Sequence, residues 1–170
     1  MRDAEIKDAS FILSLRLDTR KSRYLNPTNN DLKEQEAYLQ KYKEEKQDEF
    51  YFIIEGYDRT PYGTVRIYDV GKDSFCPGSW LTSYTAPLSA GLEGMLLALD
   101  YGFSRLKLPL AKYDVRSENK SVIRFHKRLG AVIVREDEQN VYFQLSKESF
   151  DDHKSYFEEM ISSNVSANNP

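Results

Sequence analysis

Residues 115 to 130 read VRSENKSVIRFHKRLG, and the chemistry in that stretch rests on two side chains seven apart, Asn119 and His126. An asparagine at the start of a helical run can cap it by accepting from its first free amides. Imidazole is the side chain whose ordinary pKa lies nearest neutrality, so it donates a hydrogen bond when neutral and a proton when charged. His126 shares an inward stripe with Val122, Phe125 and Leu129, while Lys120, Arg124, Lys127 and Arg128 fall on the other side. A histidine on an apolar face is either a hydrogen-bonded core residue or a proton donor sheltered from water. The spacing allows both. The four cations read as a solvated face whose charge suits the end of a helix.

A second candidate lies between Ser79 and Met95, where a β-prone run, SWLTSYT, leads past Pro87 to Ser89, Ala90 and Gly91 and then to a long helix. Small residues at such a turn leave the first backbone N–H groups open, and the helix dipole adds positive charge there, which makes an anion site. Any helix that follows a strand also needs a small-residue start. Neither a GxGxxG nor a GxxxxGK[ST] pattern occurs, so dinucleotide and P-loop chemistry have no support.

The elements that must position these residues follow from periodicity. Asp8 to Arg20 and Asp31 to about Gln47 read as helices separated by a loop, KSRYLNPTNN; FYFIIEGYDRTPYGTVRIYDV reads as a hairpin, and GKDSFCPG as a loop before the strand at 79–85. The next helix places Leu92, Met95, Leu96, Leu99, Phe103 and Leu106 on one face and ends at Pro109. AKYDV is a strand, Asn119 to Leu129 a helix closed by Gly130, and AVIV with VYFQL a second hairpin around REDEQN. A last helix spans about Lys147 to Ser162, on its own core or on a partner, and the tail at 163–170 reads as disordered.

Composition narrows the function. A chain of 170 residues, 40% apolar, suits one domain, and a net charge of -3 with interspersed signs argues against nucleic acid as a partner. One cysteine, Cys76, and two histidines cannot supply a zinc shell, so no metal is expected. Without an apolar leader or a membrane-length run, the protein is expected in the cytoplasm and away from membranes.

Taken together, the two stretches resemble the GCN5-related N-acetyltransferase (GNAT) family over residues 1–146. The family's helix signature, Asn-x-x-Ala-x-x-x-Tyr-x-x-x-Gly-Phe, reads here as Asn119, Val122, His126, Gly130 and Ala131. Its pyrophosphate turn, Arg/Gln-x-x-Gly-x-Gly/Ala, aligns with Leu88, Ser89, Ala90, Gly91, Leu92 and Glu93, where Gly91 alone matches and Glu93 brings an anion toward an anion. The resemblance implies an α+β fold with a central mixed, mostly antiparallel sheet of about six to seven strands, flanked by helices and opened by a splayed strand pair for acyl-CoA. It implies acetyl-CoA as cofactor, contacted by Leu81, Thr82 and Ser83, by the turn from Ser89 through Ala90, Gly91, Leu92 and Glu93 to Gly94, and by Asn119, Ser121 and Phe125. His126 takes the place of the tyrosine that commonly protonates the departing thiolate.

For the base, Glu93, Tyr84 and Asp114 stand beside a water-mediated route or an amine already deprotonated. The loop between the first two helices lies over the site in the family, and Arg23, Tyr24, Asn26, Asn29 and Asn30 are its candidates for the acceptor. A small-molecule amine, first of all that of a nucleotide-linked amino sugar, is the expected acceptor. A protein or peptide N-terminus, or a non-catalytic acyl-CoA-binding module, remains open, as does a homodimer.

Overall fold

In the computed structural model, which describes residues 1–45 and 48–167, a seven-stranded sheet runs in the order β1-β2-β3-β4-β5-β7-β6. The strands are β1 (Arg2–Asp3), β2 (Phe50–Glu55), β3 (Pro61–Tyr68), β4 (Ser74–Thr82), β5 (Leu110–Arg116), β6 (Val132–Glu136) and β7 (Asn140–Ser146). The helices are α1 (Ala9–Leu17), α2 (Thr19–Ser22), α3 (Leu32–Glu44), α4 (Ala90–Asp100), α5 (Lys120–Arg128) and α6 (Lys147–Ala167). Every strand pair is antiparallel except β4 with β5. This is the mixed, mostly antiparallel α+β sheet that the sequence implies.

Strand alternation divides the apolar residues between two layers. On one face Tyr51 and Ile53 of β2 pack with Ala9, Ile12 and Leu39 from α1 and α3. On the other, Phe52, Ile54, Val65 and Ile67 join Met95, Leu96, Leu99 and Phe103, together with Phe150 and Phe157 of α6. So the last helix packs on this chain's own core. It continues past Ser162 to Ala167, and 168–170, the end of the tail expected to lack structure, lie outside the described residues.

Several boundaries differ from expectation. The first helix breaks at Asp18, whose extended backbone and side-chain bond to the Arg20 amide restart the chain as α2. α3 ends at Glu44, and the expected end at Gln47 lies outside the described residues. The supposed loop 71–78 is half strand: β4 begins at Ser74, because Phe75 and Cys76 are buried against the core. Pro77 is accommodated there because β4 has no partner on its β5 side past Phe75. After Asp100 the helix widens into a π turn, Tyr101–Arg105.

The feature that creates a site is the divergence of β4 from β5. They pair only at Ser74 with Leu110 and Phe75 with Ala111. From there β4 stays paired with β3 as far as Thr82, and β5 stays with β7 as far as Arg116. Each strand is held on its outer flank, so the gap between them is a stable part of the fold. Within β4 the register against β3 shifts between Thr64 and Arg66, and Ser79 sits in the left-handed region at φ 48°. The resulting bulge turns the strand where the gap opens.

Candidate active site

Two clefts of about 630 Å³ each flank the splayed strands and meet at Trp80 of β4 and Val122 of α5, which line both. The first is walled by Thr82, Ser83, Tyr84, the turn from Ala86 to Leu88, Gly91 and Leu92 of α4, and one face of α5. The Ala90 amide bonds back to Pro87 O at 3.0 Å and that of Glu93 to Ser89 O at 2.9 Å, while the amides of Gly91 and Leu92 between them have no backbone acceptor among the described residues. Those amides and the dipole of α4 favour an anion. A Cβ at Gly91 would come 3.1 Å from Thr82 Cγ2, so helix and strand approach closely because that residue is glycine.

Charge points the same way. Lys21, Arg124 and Arg128 line this cleft and no carboxylate does. Two of the four cations on α5 therefore face a cavity and are more than a solvated helix face. Phe125 closes the inner end, its ring 5.5 Å from Trp80 and 5.4 Å from Phe157, and Met160 of α6 adds an apolar wall.

The second cleft is polar. Three guanidinium groups, Arg16, Arg66 and Arg116, and three amides, Asn26, Asn119 and Asn140, line it with Tyr24, Glu49, Asp69 and Asp114. His126, Tyr113 and Met95 border it, all of them buried. His126 is 3% exposed, and its Nδ1 shares a hydrogen bond of 2.9 Å with the Tyr113 hydroxyl. Its Nε2 has no hydrogen-bond partner among the described residues and is left for the cleft. Burial pushes the imidazole down to about 3 and raises the Tyr113 phenol far above its usual range, so both are neutral near pH 7.

This neutrality has a thermodynamic consequence. In the unfolded chain the imidazole titrates near 6.5, so between pH 6.5 and about 3 the unfolded state binds a proton that the folded state refuses. Stability due to His126 is complete above about pH 6.5 and falls as the pH drops, with a limiting slope of about 1.4 kcal/mol per unit. Denaturant midpoints at pH 7, 5 and 4 are expected to fall less steeply in His126→Phe than in wild type; parallel slopes would contradict the buried neutral ring.

The residues singled out in the sequence are divided between these clefts. Thr82, Ser83, Gly91, Leu92, Ser121 and Phe125 face the first. Leu81 is buried and lines neither, and Ala90 and Gly94 are buried as well. A Cβ on Gly94 would overlap the Ile54 side chain, so this glycine serves packing of α4 on β2. Ser89 and Glu93 line neither cleft. Asn119 makes no side-chain cap bond; its Oδ1 accepts from Ser121 Oγ at 3.2 Å, and it lies at the second cleft, not the first.

Among the base candidates, Tyr84 is exposed at the first cleft, with Lys21 Nζ 3.8 Å from its ring centre, and does not line the cleft of His126. Asp114 alone shares the cleft of His126. Tyr24 lines that cleft too and donates to Glu118 O at 3.3 Å. Arg23 stacks on Tyr24, Asn29 lines a separate small pocket, and Asn30 is exposed away from all three cavities.

Arg16, Arg66, Trp80 and Tyr113 escape the sequence reading, and Arg124 and Arg128 enter it only as part of a solvated face. Arg66 left a signal, a lone charge within the otherwise uncharged strand GTVRIY. Arg16 and Tyr113 left none, because only the fold brings them to the site.

A family model for the acetyltransferase (GNAT) domain matches residues 1–132. No curated protein matches the chain. Among solved structures, apo FdhC, described as a nucleotide-linked sugar GNAT, is 34% identical, with 92% of this chain and 90% of that chain covered and a TM-score of 0.82. A spermidine N-acetyltransferase from Vibrio cholerae, solved with CoA and spermine, is 19% identical, with 88% and 95% covered and a TM-score of 0.76. At that identity the second likeness concerns the fold alone.

Proposed function

The chain belongs to the GNAT acetyltransferase family and is an acetyl-CoA-dependent N-acetyltransferase, and we propose that its acceptor is the primary amine of a nucleotide-linked amino sugar. What carries the choice of acceptor is the lining of the polar cleft, three guanidinium groups and three amides beside the buried histidine. Such a set matches sugar hydroxyls and a phosphate linkage. Of the carboxylates that line the same cleft, Glu49 is taken by Arg66 and Tyr38, and Asp69 and Asp114 stand against three guanidinium groups, so the lining is not the acid-dominated one a polyamine would need. The likeness to FdhC, a nucleotide-linked sugar GNAT, supports the same class.

When bound, acetyl-CoA supplies an acyl group activated as a thioester. Its phosphates fit the first cleft, where Lys21, Arg124, Arg128 and the free amides of Gly91 and Leu92 would hold them. Thr82 and Ser83 on the free flank of β4 would carry the extended arm toward Trp80 and Val122. His126, neutral, holds an N–H at Nε2 when the Tyr113 hydroxyl donates to Nδ1, and in that tautomer it would stabilise negative charge on a sulfur brought into the cleft. Full proton transfer from an imidazolium is not its role, because the ring is uncharged at neutral pH. Asp114, exposed on the same cleft, is placed to take up the proton of the amine.

The test is release of free thiol from acetyl-CoA against nucleotide-linked amino sugars, polyamines and peptides. Turnover is expected with the sugar nucleotides. Turnover confined to peptides or polyamines would overturn the assignment, and absence of turnover with acetyl-CoA binding intact would make the protein a non-catalytic acyl-CoA-binding module.

A further inference from the structure

Beyond the polar cleft lies a smaller pocket of about 270 Å³ between the loop preceding α3 and the face of β2 and β3. Arg16 of α1 and Arg66 of β3 line both cavities, so the two guanidinium groups stand where pocket and cleft meet. Each spends only part of its donor set within the fold. Arg16 is held by Thr28 Oγ1 and by Asn26 O at 3.0 Å, and it has no carboxylate in ion-pair range among the described residues. Arg66 pairs with Glu49 through one terminal nitrogen and is surrounded by the rings of Tyr38, Tyr51 and Tyr68 at 5.6, 5.1 and 5.5 Å. Its Nε is buried with no hydrogen-bond partner. A buried donor on a cation is rarely left without an acceptor, and a bound ligand or an ordered water supplies one.

The pocket past them has a different character. Pro27, Tyr38 and Tyr51 give it flat apolar walls, and Gln35, 8% exposed, makes no side-chain hydrogen bond among the described residues. Its two acids are engaged: Asp31 caps α3 through the amides of Lys33 and Glu34, and Glu34 accepts from Asn29 Nδ2 at 3.1 Å. Aromatic walls with a free amide suit a heterocyclic base, and two unsaturated guanidinium groups at the entrance suit a diphosphate.

We infer that Arg16 and Arg66 clamp the diphosphate of the acceptor, with its nucleoside in the small pocket and its amino sugar directed along the polar cleft toward His126. This rests on the nucleotide-linked acceptor proposed above. It assigns recognition of the substrate to α1 and β3, away from the reacting centre. Specificity for the nucleotide is thereby separable from cofactor binding.

Calorimetric titration of the full chain with uridine diphosphate and thymidine diphosphate, neither of which carries an amine, tests the clamp. Wild type is expected to bind at least one of them. Arg16→Gln is expected to weaken that binding roughly 10- to 100-fold, as loss of a charge-assisted contact does. Arg66→Lys, which keeps the charge and removes the planar fork, is expected to weaken it as well. Acetyl-CoA affinity, measured on the same samples, reports whether each variant is folded. Wild-type affinity in a folded Arg16→Gln would overturn the clamp. So would turnover of a nucleotide-linked amino sugar by a wild type that binds neither diphosphate, while leaving the substrate class standing. Neither diphosphate binding nor sugar-nucleotide turnover would overturn both.

Discussion

His126→Phe is expected to lower turnover by roughly 10-fold or more, with acetyl-CoA affinity within about twofold of wild type. The ring borders the polar cleft and not the cofactor-side one, so its loss removes a donor near the reacting atoms and leaves the phosphate contacts in place. The substitution also strands the Tyr113 hydroxyl in the core, at a cost of about 1–3 kcal/mol. Rates must therefore be referred to the folded fraction, read from thermal melts. His126→Gln separates chemistry from packing, because its amide keeps an N–H at the same position. It should recover part of the lost kcat, whereas a purely structural histidine would leave the two variants equally active per folded molecule. Unchanged turnover in the phenylalanine variant would remove His126 from the mechanism.

The double variant Arg124→Glu with Arg128→Glu is expected to raise the Kd for acetyl-CoA by roughly 100-fold or more, since two charge-assisted contacts are lost and repulsion is added. The cleft they line holds one further cation, Lys21, and no acid to compensate. Wild-type affinity should also fall with added salt, and less steeply in the variant, because exposed charge pairs are screened. Calorimetry at two salt concentrations measures both. An unchanged Kd would return these arginines to the solvated face of α5. Binding of uridine diphosphate should be little affected in this variant, since neither arginine lines the polar cleft or the pocket beyond it.

Local spacing was sufficient to place the elements that carry the candidate residues. The interval from Asn119 through His126 to Gly130 marks the helix α5, and the small residues before Met95 mark the start of the helix α4. The alternation in β2 and β3 likewise yields the two-layered sheet. Where spacing misled, a non-local contact was the cause. Gly94 lies three residues beyond Gly91, yet what it meets is the Ile54 side chain of β2, whereas Gly91 meets Thr82 and Trp80 of β4. Tyr84 lies on the chain segment of the splayed strand β4 but lines a different cleft from His126. Loop composition marked residues 21–30 as a cover for the site, but could not tell Tyr24 and Asn26, which face the cleft, from Arg23 and Asn30, which do not.

By itself the sequence determined most of the order of elements, though not β1 or the break before α2, and the helix that carries His126, because these are written in periodicity; the family followed from resemblance in residues close along the chain. Tertiary structure alone decided that β4 and β5 part after Phe75, that Trp80 and Val122 divide the opening in two, and that α1, β3 and α5 send arginines to different cavities. A helical repeat specifies which residues share a face. It does not specify what that face meets, and the protonation of His126, the free valences of Arg66 and the grouping of charges all depend on that meeting.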